Sequence, residues 1–166
     1  MAFASVDVSG SVEDIRKSLK TLSDQLGPVK ALIHCAGFSA PGRAHQVPEA
    51  DVRRMTEVNY LGSVMVTQAL LPDMMASRNG AIIFTSSLAG LAGVYGLAAY
   101  CGSKFAVRGY AEALGMEVAP YGIRVSVNCP PDTDTPGFEE ENKTKPEETK
   151  LISEGAGLFQ PNIVAK

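Results

Sequence analysis

Residues 81–104 read Ala-Ile-Ile-Phe-Thr-Ser-Ser-Leu-Ala-Gly-Leu-Ala-Gly-Val-Tyr-Gly-Leu-Ala-Ala-Tyr-Cys-Gly-Ser-Lys. The run from Ala81 to Ser86 is short, apolar and closed by hydroxyls, as in a strand buried within a parallel sheet. Gly90, Gly93 and Gly96 mark a loop of small residues. Ala98 to about Val118 follows as a helix. A further strand runs from Gly122 to Cys129, and Pro130-Pro131 ends it, because proline cannot continue a central strand. Strand, loop, helix and strand in that order make one βαβ unit.

Working upstream, the same alternation recurs. Val12, Ile15, Leu19, Leu22 and Leu26 keep helical spacing, and Gly27-Pro28 stops that helix. Val29 to Ala36 is another continuous apolar run, ending in Gly37. Phe38 to Val47 is loop. Pro48 to about Arg78 has one long helical pattern, and Asn79-Gly80 is a turn. The alternation predicts an α/β fold with a parallel sheet covered on both faces. Residues 1–136 form the predicted catalytic domain, and 137–166 a polar, acidic tail with one or two short helices. Ligands of such sheets bind beyond the carboxyl ends of the strands. Those ends are Cys35-Ala36-Gly37, Ser86-Ser87 and Cys129-Pro130.

Composition narrows the class. Of 166 residues, 45% are apolar and 20% charged, which fits a globular chain with a sizeable core. A net charge of −3 with no basic stripe argues against nucleic acid as the main partner. Three cysteines without a CxxC pair point to buried, reduced thiols. His34 and His45 have no partners at metal-ligand spacing, so no metal is expected. No apolar run reaches the roughly 18–20 residues of a membrane-spanning helix.

Tyr100 and Lys104 fall on one helix face, four residues apart. An ammonium beside a phenol favours the phenolate, and such a tyrosine can exchange a proton with a carbonyl or alcohol oxygen. An ordinary surface pair has the same spacing. Ser87, at a strand end, can polarise the same substrate oxygen. It could equally satisfy local backbone groups, and Ser86 could fill either role. Asn59 is unusual inside a helix, where an amide is neither a good helix former nor a favoured core residue. It could bond helix backbone and a water that feeds protons to Lys104, or simply face solvent.

Taken in order, Asp7-Val8, Cys35-Ala36-Gly37, Asn59-x-x-Gly62, Ser86-Ser87, Tyr100-x-x-x-Lys104 and Pro130-Pro131 resemble the short-chain dehydrogenases/reductases over residues 5 to 136. The resemblance implies a Rossmann-like, doubly wound sheet and a nicotinamide cofactor. It implies Tyr100 as acid/base, Lys104 tuning it and holding the nicotinamide ribose, Ser87 orienting the carbonyl, and Asn59 supporting a proton relay. Asp7 would contact the adenine, Ala36, Gly37 and Pro130 would line the cofactor, and Thr135 would reach the carboxamide.

A narrower resemblance comes from Pro-Pro-Asp-Thr-Asp-Thr-Pro-Gly-Phe at 130–138, Glu-Glu-Asn-Lys-Thr-Lys-Pro at 140–146 and Leu-Ile-Ser at 151–153. With Asn59-Tyr60-Leu61-Gly62-Ser63-Val64 and Ser103-Lys104-Phe105-Ala106, these are similar to the 3-ketodihydrosphingosine reductases. That family reduces the 3-keto group of a long-chain sphingoid amino ketone with NADPH. It does so on the cytosolic face of the endoplasmic reticulum membrane, and membrane association is expected in the full-length family.

Two features depart from the pattern. The Thr-Gly-x-x-x-Gly-x-Gly turn that would bind pyrophosphate is absent, and so are the first βαβ units, which predicts an incomplete sheet with an exposed apolar edge at Val29 to Cys35. His34 stands where the family usually has Asn, and is expected to be buried, neutral and hydrogen-bonded rather than catalytic. Three readings follow: a sphingoid ketone reductase, another short-chain carbonyl or steroid reductase, or a non-catalytic chain pairing with a full-length subunit. Any homo-oligomer would use the helices at 48–78 and 98–118.

Overall fold

The computed structural model describes residues 2–165. Helix α1 spans Val12–Leu26. Ser11 caps it: its Oγ accepts from Asp14 N at 3.1 Å and donates to Asp14 Oδ2 at 2.6 Å. Gly27, at φ 86°, ends it. Strands β1 (Ala31–His34), β2 (Gly80–Thr85) and β3 (Ile123–Asn128) form a parallel sheet in that order. Helix α4, Ala98–Val118, joins β2 to β3. Both helices end where the periodicity and breakers predict.

The expected strand at Val29–Ala36 is shorter, because the chain beyond His34 leaves the ladder. Cys35 to Gly37 turn into a loop whose next residue, Phe38, is held through its backbone by Asn59.

The long helix expected at 48–78 is three pieces. Helix α2 (Glu49–Met55) runs into a π-helical turn, Thr56–Leu61, which runs into α3 (Gly62–Ser77). Periodicity cannot reveal the wider turn, since one inserted residue barely disturbs a 3.6-residue repeat. Arg78, at φ 49° in the left-handed region, closes α3 before the Asn79-Gly80 turn.

Helices α1, α3 and α4 all pack on one face of the sheet. Ile82 and Phe84 of β2 are buried against Met74 of α3 and against Val107, Ala111 and Leu114 of α4. Leu32 of β1 joins that cluster to a second one, Ile15 with Val66, Ala69 and Leu70. Burial alternates along β2 and β3. The opposite face carries Ala31, Ile33, Arg124, Ser126 and Asn128, with Ile33 at 58% exposure. Among the described residues the sheet is therefore covered on one face, not two. Apolar runs such as Ala81–Phe84 hide this, because they offer hydrophobic residues to both faces.

Beyond β3 the chain makes three short helices rather than one or two: α5 (Pro136–Asn142), α6 (Glu147–Ala156) and α7 (Pro161–Val164). Phe159 doubles back to residues after β3. Its N–H donates to Asp132 O and its carbonyl accepts from Asp134 N, each at 2.9 Å. These helices are fixed by contacts distant in sequence, which local periodicity does not record.

Candidate active site

The carboxyl ends of the strands converge on the first turns of α4. Ser86 and Ser87 follow β2 directly and separate in role. Ser86 is 2% exposed, and its Oγ donates to Lys104 O at 2.9 Å, pinning α4 to the strand end. Ser87 is only partly buried and caps a short helical turn, accepting from Ala89 N at 3.1 Å. Its hydroxyl is also close enough to the Tyr100 phenol to hold that group's pKa down against the effect of burial. Of the two serines, Ser87 is the one that faces the Tyr100 phenol.

Lys104 is almost fully buried, and its Nζ donates to Thr85 O at 2.9 Å. Nζ also lies 5.7 Å from the centre of the Tyr100 ring. Burial pulls the ammonium pKa down to about 8, against the opposing influence of the Cys35 and Cys129 thiols. The Tyr100 phenol is pushed up to about 12, chiefly by burial. Glu141, Asp132 and Cys101 add to the rise, and Ser87 opposes it. Sequence spacing pointed to a lowered phenol pKa. Here burial prevails, because the ammonium is turned to the Thr85 carbonyl and meets the ring rather than relieving the desolvated hydroxyl. At neutral pH the pair holds a protonated phenol, the form that can donate.

Asn59 lies in the π-helical turn and is 1% exposed. Its Oδ1 accepts from Phe38 N at 2.9 Å, and its Nδ2 donates to Phe38 O and Ser103 Oγ, both at 3.0 Å. Ser103 Oγ in turn donates to Tyr100 O at 2.8 Å. Asn59 does not face solvent; it locks the β1 loop to the start of α4. Its backbone carbonyl accepts from Ser63 Oγ at 3.0 Å. Spacing did not disclose the parts played by Phe38, Thr85 and Ser103, since two of them act through backbone atoms.

His34 is buried, stacks on Phe84 with ring centres 4.6 Å apart, and places Nε2 3.0 Å from Thr67 Oγ1. Thr67 spends its own proton on Ser63 O at 2.8 Å, so Nε2 is the donor and the ring is the Nε2–H tautomer. Burial pushes its pKa down to about 4.

The other candidates divide. Pro130 is at the site, its carbonyl accepting from Leu88 N at 3.1 Å. Cys35, Ala36 and Gly37 form an exposed shelf. Thr135 caps α5, accepting from Phe138 N at 3.2 Å. Asp7 sits in an exposed turn before α1, where its carboxylate accepts from Ser9 N at 2.9 Å and Ser9 Oγ at 2.7 Å. Those bonds hold its pKa below the usual range. No hydrogen bond among the described residues joins Asp7 or Thr135 to the Tyr100 group.

This arrangement fits the nicotinamide end of a dinucleotide. A Cβ on Gly37 would stand 3.0 Å from Asn59 Oδ1 and 3.5 Å from Lys104 Nζ, so the shelf beside the ammonium must stay free of side chains. Two residues on, Ser39 Oγ is a buried hydroxyl with no hydrogen-bond partner. For the pyrophosphate end, Gly90, Gly93 and Gly96 do not serve, since they lie between Ser87 and Tyr100.

The chain is 53% identical over 162 residues to the 3-dehydrosphinganine reductase of Danio rerio, covering 98% of this chain and 49% of that protein. It is 48% identical, with the same coverage, to the 3-ketodihydrosphingosine reductase of Mus musculus. The chain thus spans about half the length of these curated relatives. Among solved structures, a short-chain dehydrogenase from Streptomyces avermitilis superposes with a TM-score of 0.74 at 31% identity, over 81% of this chain and 49% of the other. A gluconate 5-dehydrogenase from Burkholderia cenocepacia, solved in complex with NADP and tartrate, gives 0.77 at 25% identity, over 84% and 53%. The family model described as short chain dehydrogenase matches residues 1–146. Together with the Ser87, Tyr100, Lys104 and Asn59 constellation on a parallel sheet, that match places the chain in the short-chain dehydrogenase family.

Proposed function

We propose that this chain supplies the proton-donating part of an NADPH-dependent reductase of long-chain sphingoid ketones. Two relatives are named 3-dehydrosphinganine reductase and 3-ketodihydrosphingosine reductase, which supports the substrate class. The observation that carries the reading is a half-buried Tyr100 whose phenol is held protonated at neutral pH, set beside Ser87 and backed by the buried Lys104 ammonium.

A bound nicotinamide would supply hydride to the keto carbon. Ser87 would hydrogen-bond the keto oxygen and orient it. Tyr100 would give its phenolic proton to that oxygen as negative charge develops. Lys104 would then steady the phenolate and hold the nicotinamide ribose. Asn59 would keep the Gly37–Phe38 shelf and the start of α4 in register, and pass protons toward Lys104. Ala36, Gly37 and Pro130 would line the cofactor, Thr135 would reach its carboxamide, and Asp7 its adenine. The cytosolic face of the endoplasmic reticulum membrane, and pairing of two copies through α3 and α4, belong to the same reading. Phe105 and Met116, both exposed on α4, support the pairing.

The test is NADPH oxidation with 3-ketodihydrosphingosine. It is run on the chain as it stands and on the chain preceded by the N-terminal residues of the Danio rerio relative. Tyr100→Phe should lower turnover at least ~100-fold while sphingoid ketone binding persists. Full activity in Tyr100→Phe would remove Tyr100 as the acid. NADPH fluorescence titration of the chain alone decides between a competent unit and a non-catalytic partner.

A further inference from the structure

Asn59, Ser63 and Thr67 recur at every fourth residue, so they share one face of the helix that runs from the π-helical turn into α3. All three are buried. Thr67 Oγ1 donates to Ser63 O at 2.8 Å, and Ser63 Oγ donates to Asn59 O at 3.0 Å. Each hydroxyl is fixed by the turn before it, and together the three side chains form a stiff polar bar.

Both ends of that bar grip the chain that leaves β1. At one end Thr67 Oγ1 accepts from His34 Nε2 at 3.0 Å. At the other, the Asn59 amide takes both backbone groups of Phe38. His34 is the last residue of the β1–β2 ladder, paired with Phe84, and its ring lies within 17° of parallel to the Phe84 ring. Between the two grips lie Cys35, Ala36 and Gly37, all exposed. Outside the sheet ladder, no backbone–backbone hydrogen bond among the described residues involves any of the three. Cys35 Sγ makes one long contact, 3.8 Å to Thr85 Oγ1. The shelf therefore takes its position from its two ends.

A phenylalanine at position 34 would stack on Phe84 equally well. What the imidazole adds is a directed bond, and its buried N–H is unfavourable without an acceptor. Packing alone lets a strand end slide, whereas a hydrogen bond to a fixed hydroxyl sets its place.

We infer that His34 is a positioning residue of the active site: its bond to Thr67 pins one end of the Cys35–Gly37 shelf, as Asn59 pins the other, and so sets the shelf beside Lys104. A Cβ on Gly37 would stand 3.5 Å from Lys104 Nζ, so a shift of about 1 Å there alters the room left beside the ammonium. His34 itself touches neither Tyr100 nor Lys104 through any hydrogen bond. Its meaning for cofactor affinity rests on the reading of this shelf as the cofactor's seat; its effect on the shelf's mobility does not.

The test uses the full chain and three variants. His34→Phe keeps the stack and removes the donor. Thr67→Val keeps the shape and removes the acceptor, and Thr67→Ser retains the hydroxyl. In the unaltered chain, nitrogen NMR of the imidazole should show the Nε2–H tautomer. Backbone order parameters at Ala36 and Gly37 should fall from about 0.85 to about 0.6 in His34→Phe and in Thr67→Val, with β2 and β3 unmoved. Thr67→Ser should match the unaltered chain. The double variant His34→Phe/Thr67→Val should fall no further than either single one, because both remove the same bond. In the chain preceded by the N-terminal residues of the Danio rerio relative, the KM for NADPH should rise about tenfold while kcat stays within about twofold. An Nδ1–H ring, or unmoved order parameters in either folded variant, overturns the proposal. So does failure of both variants to fold, since the bond would then hold the core rather than the shelf. A loosened shelf with NADPH oxidised at an unmoved KM overturns it too. A loosened shelf with no NADPH oxidation in any form of the chain overturns the functional reading and leaves the pin standing.

Discussion

Ser86 and Ser87 are adjacent hydroxyls in different surroundings, and their substitutions should separate cleanly. Ser86 donates to the Lys104 carbonyl in a dry position, so Ser86→Ala should destabilise the fold by about 1 kcal/mol in chemical denaturation. Ser87→Ala should leave stability within about 0.5 kcal/mol and lower turnover instead. His34 carries a second residue-scale prediction. Its folded pKa, about 4, lies below the ordinary histidine value of about 6.5. A depressed pKa means that the stability it contributes is present above pH 6.5 and is lost as pH falls through 4. Unfolding free energy should drop by about 3 kcal/mol across that window. Denaturation curves at pH 7 and 4.5 should show the drop, and His34→Leu should flatten it. An unchanged slope in His34→Leu would assign the acid sensitivity to other groups.

Among the elements, the π-helical turn at Thr56–Leu61 shapes the site most. The wider turn aims Asn59 at the backbone of Phe38, where one amide side chain satisfies both a donor and an acceptor. Asn59→Leu would strand both backbone groups in a buried place. It should cost about 2–4 kcal/mol and speed amide exchange at residues 36–40 before any other region. Unchanged exchange there would mean that the loop holds its shape without Asn59. The bounds of α1 and α4 were legible in sequence because capping and breaking residues sit at their ends: Ser11 and Gly27 for α1, and the turn before Gly122 for α4. The π-helical turn was not legible: Asn59 stands out as unusual inside a helix, but the spacing in Thr-Glu-Val-Asn-Tyr-Leu gives no sign of an inserted residue. Helices α5 to α7 were blurred for another reason. They are held by Lys145, Thr149 and Phe159, whose partners lie elsewhere in the chain.

At the scale of the molecule, one sheet face is packed and the other is open. Ile33 stands exposed on the open face of β1, which pairs only with β2 among the described residues. An apolar face and an unpaired parallel strand invite association. The purified chain should therefore bind a hydrophobic dye and scatter light on concentration. Ile33→Lys should reduce both, with denaturation midpoints unchanged within error. Persistent association in Ile33→Lys would move the sticky surface to the exposed Phe105 and Met116 of α4.

By itself the sequence determined the alternation of strands and helices and the parallel sheet, and it singled out Ser87, Tyr100, Lys104 and Asn59 as candidates. Apolar runs, breakers and the Tyr100-x-x-x-Lys104 spacing are local, and each has a local physical cause. Only the tertiary structure decided which of two adjacent serines faces Tyr100, that Asn59 acts as a clamp, and that the phenol is held protonated. It also showed that the helices crowd one face of the sheet and that Lys145 is buried between two carboxylates. Those outcomes depend on desolvation and on hydrogen bonds between residues tens of positions apart. Neither quantity exists until the chain has folded.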